Sequence, residues 1–460
     1  MTGREIRNDR VNGKLTSAYG SVILYGVPMI ASIIICAVTV LLMIASILFF
    51  PKLRIKKLNI SLYWVIALVG ATVLLIVKRQ YLPEVGRAMV ANTAINPIKI
   101  LVLFISMTVL SIFLDELGFF RFLASFILRR AKSGQRKLFI YLYIMVSVLT
   151  TFTSNDIIIL SFTPFICYFA KNARIDPIPF LAAEFVAANT WSMALIIGNP
   201  TNIYLATANG IDFLSYLKIS ILPTLTAGVV AFCMLFLIFR KKLRAPIEGE
   251  AEQIVIEDKL LLCVGIAHLG ICTVMLAIGS YIGLEMWLVS ACAVGSMILF
   301  NVVIAIIRRR KPASLLGCIR RVPYELVPFL LSMFAMIVIL SKEGVTENIA
   351  SLLGSDFTVL KYGVASFLSA NIMNNIPMSV LFSSVIAASA ADTTSAVYAT
   401  IIGSNICAFF TPIGALAGIM WSSILNGHGY KFSYLSFLKI GIFIAVPTLF
   451  AALGVLLLVV

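Results

Sequence analysis

Apolar runs long enough to cross a bilayer recur along the whole chain, and they decide what it can fold into. One crossing takes about 20 apolar residues, since a helix rises about 1.5 Å per residue through a hydrocarbon layer about 30 Å thick. Such runs fall at about 27–50, 59–77, 97–114, 178–208, 219–241, 260–279, 284–307, 326–341, 394–425 and 433–459. Only 12% of the residues are charged, half the roughly 25% of a soluble protein. The expectation is an all-α polytopic membrane protein with about ten full spans. The first run is too long for a signal-peptide core and lacks a convincing cleavage site, so it reads as a retained span.

The net charge of +16 does not point to nucleic acid, because Lys and Arg gather in short loops between spans. Loops 51–57, 120–137, 240–244 and 308–321 are basic, and parity puts all four on one face, the cytoplasmic one. Loops 208–218 and 280–284 are almost free of positive charge. The piece 120–137 is basic and amphipathic, shaped to lie along the membrane surface. The tail 1–26, with Arg4, Arg7, Arg10 and Lys14, disagrees, but its charges begin over ten residues from the first span. The chain divides into this tail, a first half at 27–241, a polar cytoplasmic linker at 242–259 and a second half at 260–460. Both termini are then expected outside. The eight cysteines are scattered without a CxxC pair and read as small buried hydrophobes.

Two polar knots interrupt long apolar segments. Ser154, Asn155 and Asp156 lie in the middle of 138–170, and Asn374 and Asn375 in the middle of 361–390. Lipid offers no partner to a polar group, so such knots must be buried in protein or line a wet cavity. The first segment is long for one span and short for two, which suggests two half-helices that enter and leave on the same side. The knot then sits at the turn, where free N–H groups and the positive helix end gather. A purely structural cap remains the alternative. Two further spans, 178–208 and 394–425, carry breaks: GNPTN (198–202), and GSN (403–405) with TPIG (411–414). Gly198 permits unwinding and proline removes a donor, leaving carbonyls beside Asn199, Thr201 and Asn202, and likewise Ser404, Asn405 and Thr411, as potential ligands. A plain proline kink stays open. Glu184 and Asn189 lie earlier in the first broken span.

The second half repeats the first. LFISMTVLSIFLDELGFF (103–120) resembles FLLSMFAMIVILSKEGVT (329–346), and each precedes an amphipathic piece and a knotted segment. Five crossings separate the two, so the repeats are inverted in the membrane. Inverted repeats with re-entrant hairpins and broken helices form the pattern of a secondary transporter, with its site where the repeats meet. No GxxxxGK[ST] phosphate loop and no HExxH occur, so nothing points to an enzyme or an ATP-driven pump. The two histidines, His268 and His428, are far apart in sequence.

The order LDELGFF, SNDIIILSFTP, GNPTN, IMNNIP and TPIGALAGIMW resembles the ion transporter superfamily, most of all its arsenite permease branch, from about residue 100 onward. The resemblance implies a scaffold, a mobile transport part, and a site drawn from Ser154, Asn155, Asp156, Gly198, Asn199, Thr201, Asn202, Asn374, Asn375, Ser404, Asn405 and Thr411. Coupling would fall to Asp156, Glu184 or Asn189. Arsenite permeases tend to carry acids at positions corresponding to Asn189 and Asn405, which are amides here, so that proton chemistry does not carry over to them. Asp156 stands where sodium-coupled carboxylate transporters have threonine, and a carboxylate there would repel a dianion. Two readings follow: ion-coupled, chiefly proton-coupled, export of arsenite or a related solute; or sodium-coupled anion transport or sodium/proton antiport. A passive channel or receptor is a distant third. The expected partners are a small inorganic or organic solute, a coupling H+ or Na+, and the lipid bilayer of the plasma (inner) membrane. No cofactor, metal or nucleic acid is expected, and a homodimer stays open.

Overall fold

The computed structural model describes residues 29–47, 49, 52–55, 58–93, 96–130, 134–247, 255–430 and 432–460. The basic tail and the centre of the linker lie outside them. The fold is helical, with one addition that the sequence reading missed. Lys52–Ile55 and Leu58–Ser61 pair as a small antiparallel hairpin where only a basic loop was expected.

The first half runs α1 (Met29–Ile47), α2 (Leu62–Val77), α3 (Leu82–Val90), α4 (Pro97–Glu116), α5 (Phe119–Arg130), α6 (Gln135–Phe152), α7 (Asn155–Asn172), α8 (Ile178–Trp191), α9 (Pro200–Ala208) and α10 (Phe213–Phe239). The second half runs α11 (Lys259–Gly279), α12 (Met286–Ile307), α13 (Ala313–Arg321), α14 (Leu326–Lys342), α15 (Val345–Leu353), α16 (Thr358–Met373), α17 (Asn375–Ala388), α18 (Thr393–Ile406), α19 (Leu416–Gly427) and α20 (Tyr434–Val459). The two series match helix for helix. Short α3 and α13 precede α4 and α14, and long α10 and α20 each carry an internal proline, Pro223 and Pro447. The duplication therefore embraces α1–α3 and α11–α13, ahead of the point where sequence similarity begins.

Local chemistry sets many of these ends. Asn96 caps α4 by accepting from the N–H groups of Ile98 and Lys99, with Pro97 at the first helical position, where its missing N–H costs nothing. Asp212 and Asp392 cap α10 and α18 in the same way. Helices α4 and α14 stop at Gly118 and Gly344, with φ of +78° and +80°, a conformation that favours glycine.

Seven helical stretches among the described residues are long and apolar enough to cross a membrane: α1, α4, α10, α11, α12, α13 with α14, and α20. An eighth is α2 with the turn and α3 that follow, bent by 97°. The other two of the ten expected spans are the interrupted ones, which supply only short helices. The arms of the knotted segments are longer than half-helices. Helices α6 and α7 have 18 residues each, about 27 Å at 1.5 Å per residue. Polar residues that the apolar pattern excluded, Gln135 and Lys171 among them, extend both arms.

Packing crosses between the halves. Helix α2 lies on α14, α12 on α4, and α10 on α20, while α6 packs on α8 and α16 on α18 within each half. Polar contacts join segments that parity assigns to the same face. Asp115 and Glu116 hold Arg321 at 2.6 and 2.7 Å, Lys242 meets Asp176 at 2.6 Å, and Arg308 meets Asp258. On the opposite face, Lys78 meets Glu343 at 2.5 Å, and Lys99 meets Glu285.

The Lys78–Glu343 pair is nearly fully buried and ties α2 to α14. Removing one partner strands a buried charge, at a cost of about 3–5 kcal/mol. Lys78→Met is therefore expected to lower the melting temperature in detergent clearly, and Lys78→Met with Glu343→Leu to recover most of the loss. A single variant that melts with the wild type would refute the assignment.

Candidate functional site

The breaks gather polar side chains around one buried network. Helix α8 ends at Trp191, and the chain unwinds through Ser192 to a single 3-10 turn at Ile196–Gly198 before α9. The unwinding thus precedes GNPTN, and Pro200 starts a helix instead of breaking one. Gly198 is required because a Cβ there would lie 2.3 Å from the Ser192 carbonyl oxygen. Asn199 then caps α9, accepting from the N–H of Thr201 at 3.1 Å.

In the second half one of the two expected breaks, that at TPIG, is present, and the one at GSN is not. GSN lies inside α18, and the chain unwinds from Cys407 to Ala415. Gly403 serves packing: a Cβ would fall 2.5 Å from the Gly363 carbonyl oxygen on α16. This places Ser404 and Asn405 at the end of a regular helix, directed at the first break.

Asn405 is the hub. Its Oδ1 accepts from Ser192 Oγ and from Asn199 Nδ2, both at 2.9 Å. Its Nδ2 donates to Asn202 Oδ1 at 2.7 Å and to the Ile401 carbonyl at 2.9 Å. Asn202 in turn donates to the Ser192 carbonyl at 2.7 Å, and Thr201 Oγ1 lies 3.2 Å from Ser404 Oγ. Ser192 Oγ is also 2.9 Å from the Asn189 carbonyl, and Asn189 Oδ1 accepts from Asn155 Nδ2 at 3.0 Å. The network joins Asn155, Asn189, Asn199, Thr201, Asn202, Ser404 and Asn405, all buried and none charged. Ser192, equally central, was missed; a lone serine beside a tryptophan gives no sequence signal.

The knots are placed differently. Ser154 occupies the N-cap position of α7 without a capping bond, and its Oγ is buried with no partner. One oxygen each of Asn155 and Asn375 is left in the same state. Asn374 adopts φ +76°, ψ 152°, a strained conformation for a residue with a side chain. It is held there by its own bond to the Ile413 carbonyl at 3.0 Å and by the neighbouring Asn375 N–H, which donates to the Gly414 carbonyl at 2.9 Å. Thr411 donates to Asn371 Oδ1 at 2.6 Å, away from the Asn405 hub. Asn371 too was missed.

Asp156 stands apart from the network. It lies in the first turn of α7, half-buried, where the positive helix end favours a carboxylate, but it makes no capping bond, contrary to the expectation of a shared cap. Tyr63 of α2 lies within electrostatic range of both Asp156 and Glu325. Glu184 is fully buried elsewhere, accepting from Thr163 Oγ1 on α7 at 2.9 and 3.1 Å. Cys407 is buried beside the hub, its thiol directed at the carbonyls of Ser404 and Gly414 at 3.0 and 3.4 Å.

With this geometry in place, similarity to known proteins adds a family. The chain is 28% identical over 376 residues to the arsenical pump membrane protein of Escherichia coli (strain K12), covering 77% of this chain and 84% of that one. It is 25% identical over 368 residues to the putative arsenical pump membrane protein of Bacillus subtilis (strain 168), covering 73% and 82%. Among solved structures, the YdaH transporter of Alcanivorax borkumensis, described as having an unusual topology, shares the fold. The TM-score is 0.54 at 14% identity, over 93% of this chain and 97% of that one. The citrate transporter family, CitMHS, matches residues 40–400. The chain is a multi-pass membrane protein and belongs to the CitMHS citrate transporter family.

Proposed function

We propose that this transporter exports arsenite, or a related small uncharged solute, by alternating access, in exchange for protons across the plasma membrane. The observation that carries the reading is the absence of fixed charge from the buried network. Amides and hydroxyls offer donors and acceptors to a neutral polyhydroxy solute without the desolvation cost of a buried ion. The unpartnered oxygens of Ser154, Asn155 and Asn375 are the atoms that a solute hydroxyl would satisfy. The similarity to arsenical pump membrane proteins favours the same cargo. Proton coupling is assigned to Asp156, the only acid within either knot.

The alternative is sodium-coupled transport of a carboxylate or another anion, and the citrate transporter match favours it. The network has no Lys or Arg to neutralise such a cargo, so coupling cations would have to supply the positive charge. Inside-out vesicles separate the readings. Arsenite uptake driven by an imposed pH gradient, without sodium and with no uptake of citrate or succinate, is the expected result. Sodium-dependent citrate or succinate uptake with no arsenite signal would replace the proposal by its alternative.

A further inference from the structure

Helix α7 carries one stripe of accessible positions. From Asn155 to Tyr168 only Asp156, Leu160, Pro164, Phe165 and Tyr168 escape burial. Their spacing of three to four residues puts them on one helix face. The stripe opens into a cavity of about 500 Å³ lined on the α7 side by Leu160, Ser161, Pro164, Phe165 and Tyr168. The other wall is polar: Asp115 at the end of α4, Arg121 of α5, Arg321 of α13, and His428 after α19. Such a set of ionisable groups marks a wet space and not a lipid-facing groove.

Two acceptors in this wall are left for water. Asp115 gives Oδ2 to Arg321 at 2.6 Å, while its Oδ1 is buried without a partner. Pro164 has no N–H to give the Leu160 carbonyl, which therefore lacks its usual helical bond. Leu160 lies one turn from Asp156, about 6 Å along the axis. The charges nearly cancel, with Asp115 and Glu116 against Arg121 and Arg321, so the mouth presents no net barrier to a cation. His428 and Tyr168 complete the titratable groups there, and Tyr63 lies within electrostatic range of Asp156. The cavity opens on the face of the basic loops.

We propose that this cavity is a hydrated route by which Asp156 releases its proton to the cytoplasmic face. The inference rests on the reading of Asp156 as the coupling acid and adds the side to which it releases its proton. Water held by Asp115 Oδ1 and the Leu160 carbonyl relays the proton along the stripe, and the neutral network stays free for the solute.

The test places single cysteines on α7 and applies a cationic, impermeant thiosulfonate to the cytoplasmic face of inside-out vesicles. Leu160→Cys, with Phe165→Cys as a second stripe position, is expected to react about tenfold faster or more than Ile158→Cys or Phe162→Cys, whose thiols stay protonated by burial. Modification at Leu160→Cys should also stop proton-driven transport. Equal rates on the two faces of α7, reaction only from the opposite side of the membrane, or full modification with undiminished proton-driven transport would each overturn the route. Failure of the coupling reading looks different: Asp156→Asn would keep pH-driven transport while the Leu160→Cys reaction remained fast.

Discussion

Asp156→Asn is expected to keep the fold and to lose gradient-driven transport. The side chain makes no capping bond, so an amide of the same shape breaks no contact that the structure describes. Removing the charge relieves an insertion cost of about 3 kcal/mol on helix-centre scales, so stability should hold or rise. The retained charge is then explained by use. Proton-driven accumulation should fall to the level of empty vesicles, while exchange down a solute gradient persists. The measurement is accumulation by Asp156→Asn across a range of pH. A profile that matches wild type throughout would leave Asp156 as a complement to the α7 dipole and move the coupling role to Glu184, the fully buried acid on α8.

Asn405→Leu is expected to do the opposite, damaging the fold before any transport step can be measured. Four hydrogen bonds between 2.7 and 2.9 Å converge on this amide, linking it to both segments of the first broken helix. A leucine strands Asn199 Nδ2 and Asn202 Oδ1 in a buried space, at about 1–3 kcal/mol for each unsatisfied group, while Ser192 Oγ keeps the Asn189 carbonyl. The total, roughly 4 kcal/mol, is a large share of the stability of a typical domain. Little monodisperse protein should be recovered in detergent. Asn405→Asp keeps both acceptor bonds but turns a carboxylate oxygen toward the Asn202 and Ile401 oxygens in a buried site, so it too should lower the melting temperature. Recovery of Asn405→Leu at wild-type yield and melting temperature would show that the hub does not hold the two breaks together.

The contrast between these two residues shows what was legible in the chain. Both looked alike in sequence, as polar residues in apolar segments. The sequence identified them because lipid tolerates such residues only in protein or in water. It could not distinguish a hub from a residue facing a cavity, since that depends on which helices meet. Asn405 becomes a hub only because α18 stays helical past Gly403, which packs against α16. The GSN motif suggested a break there, and local propensity alone would have allowed one.

By itself the sequence determined the helical membrane class and the positions of the polar knots. Those follow from the length of apolar runs and the cost of unpaired groups in lipid, both of them local. Capping also reads locally, as at Asn96 and Asp212. Tertiary structure decided the rest. It extended the duplication to α1–α3 and α11–α13, because helices can repeat in space after their sequences have diverged. It brought Ser192 into the network through a partner 213 positions away, Asn405. It also left Asp156 out of that network, because the facing of a helix is set by what packs against it over distances that no local pattern encodes.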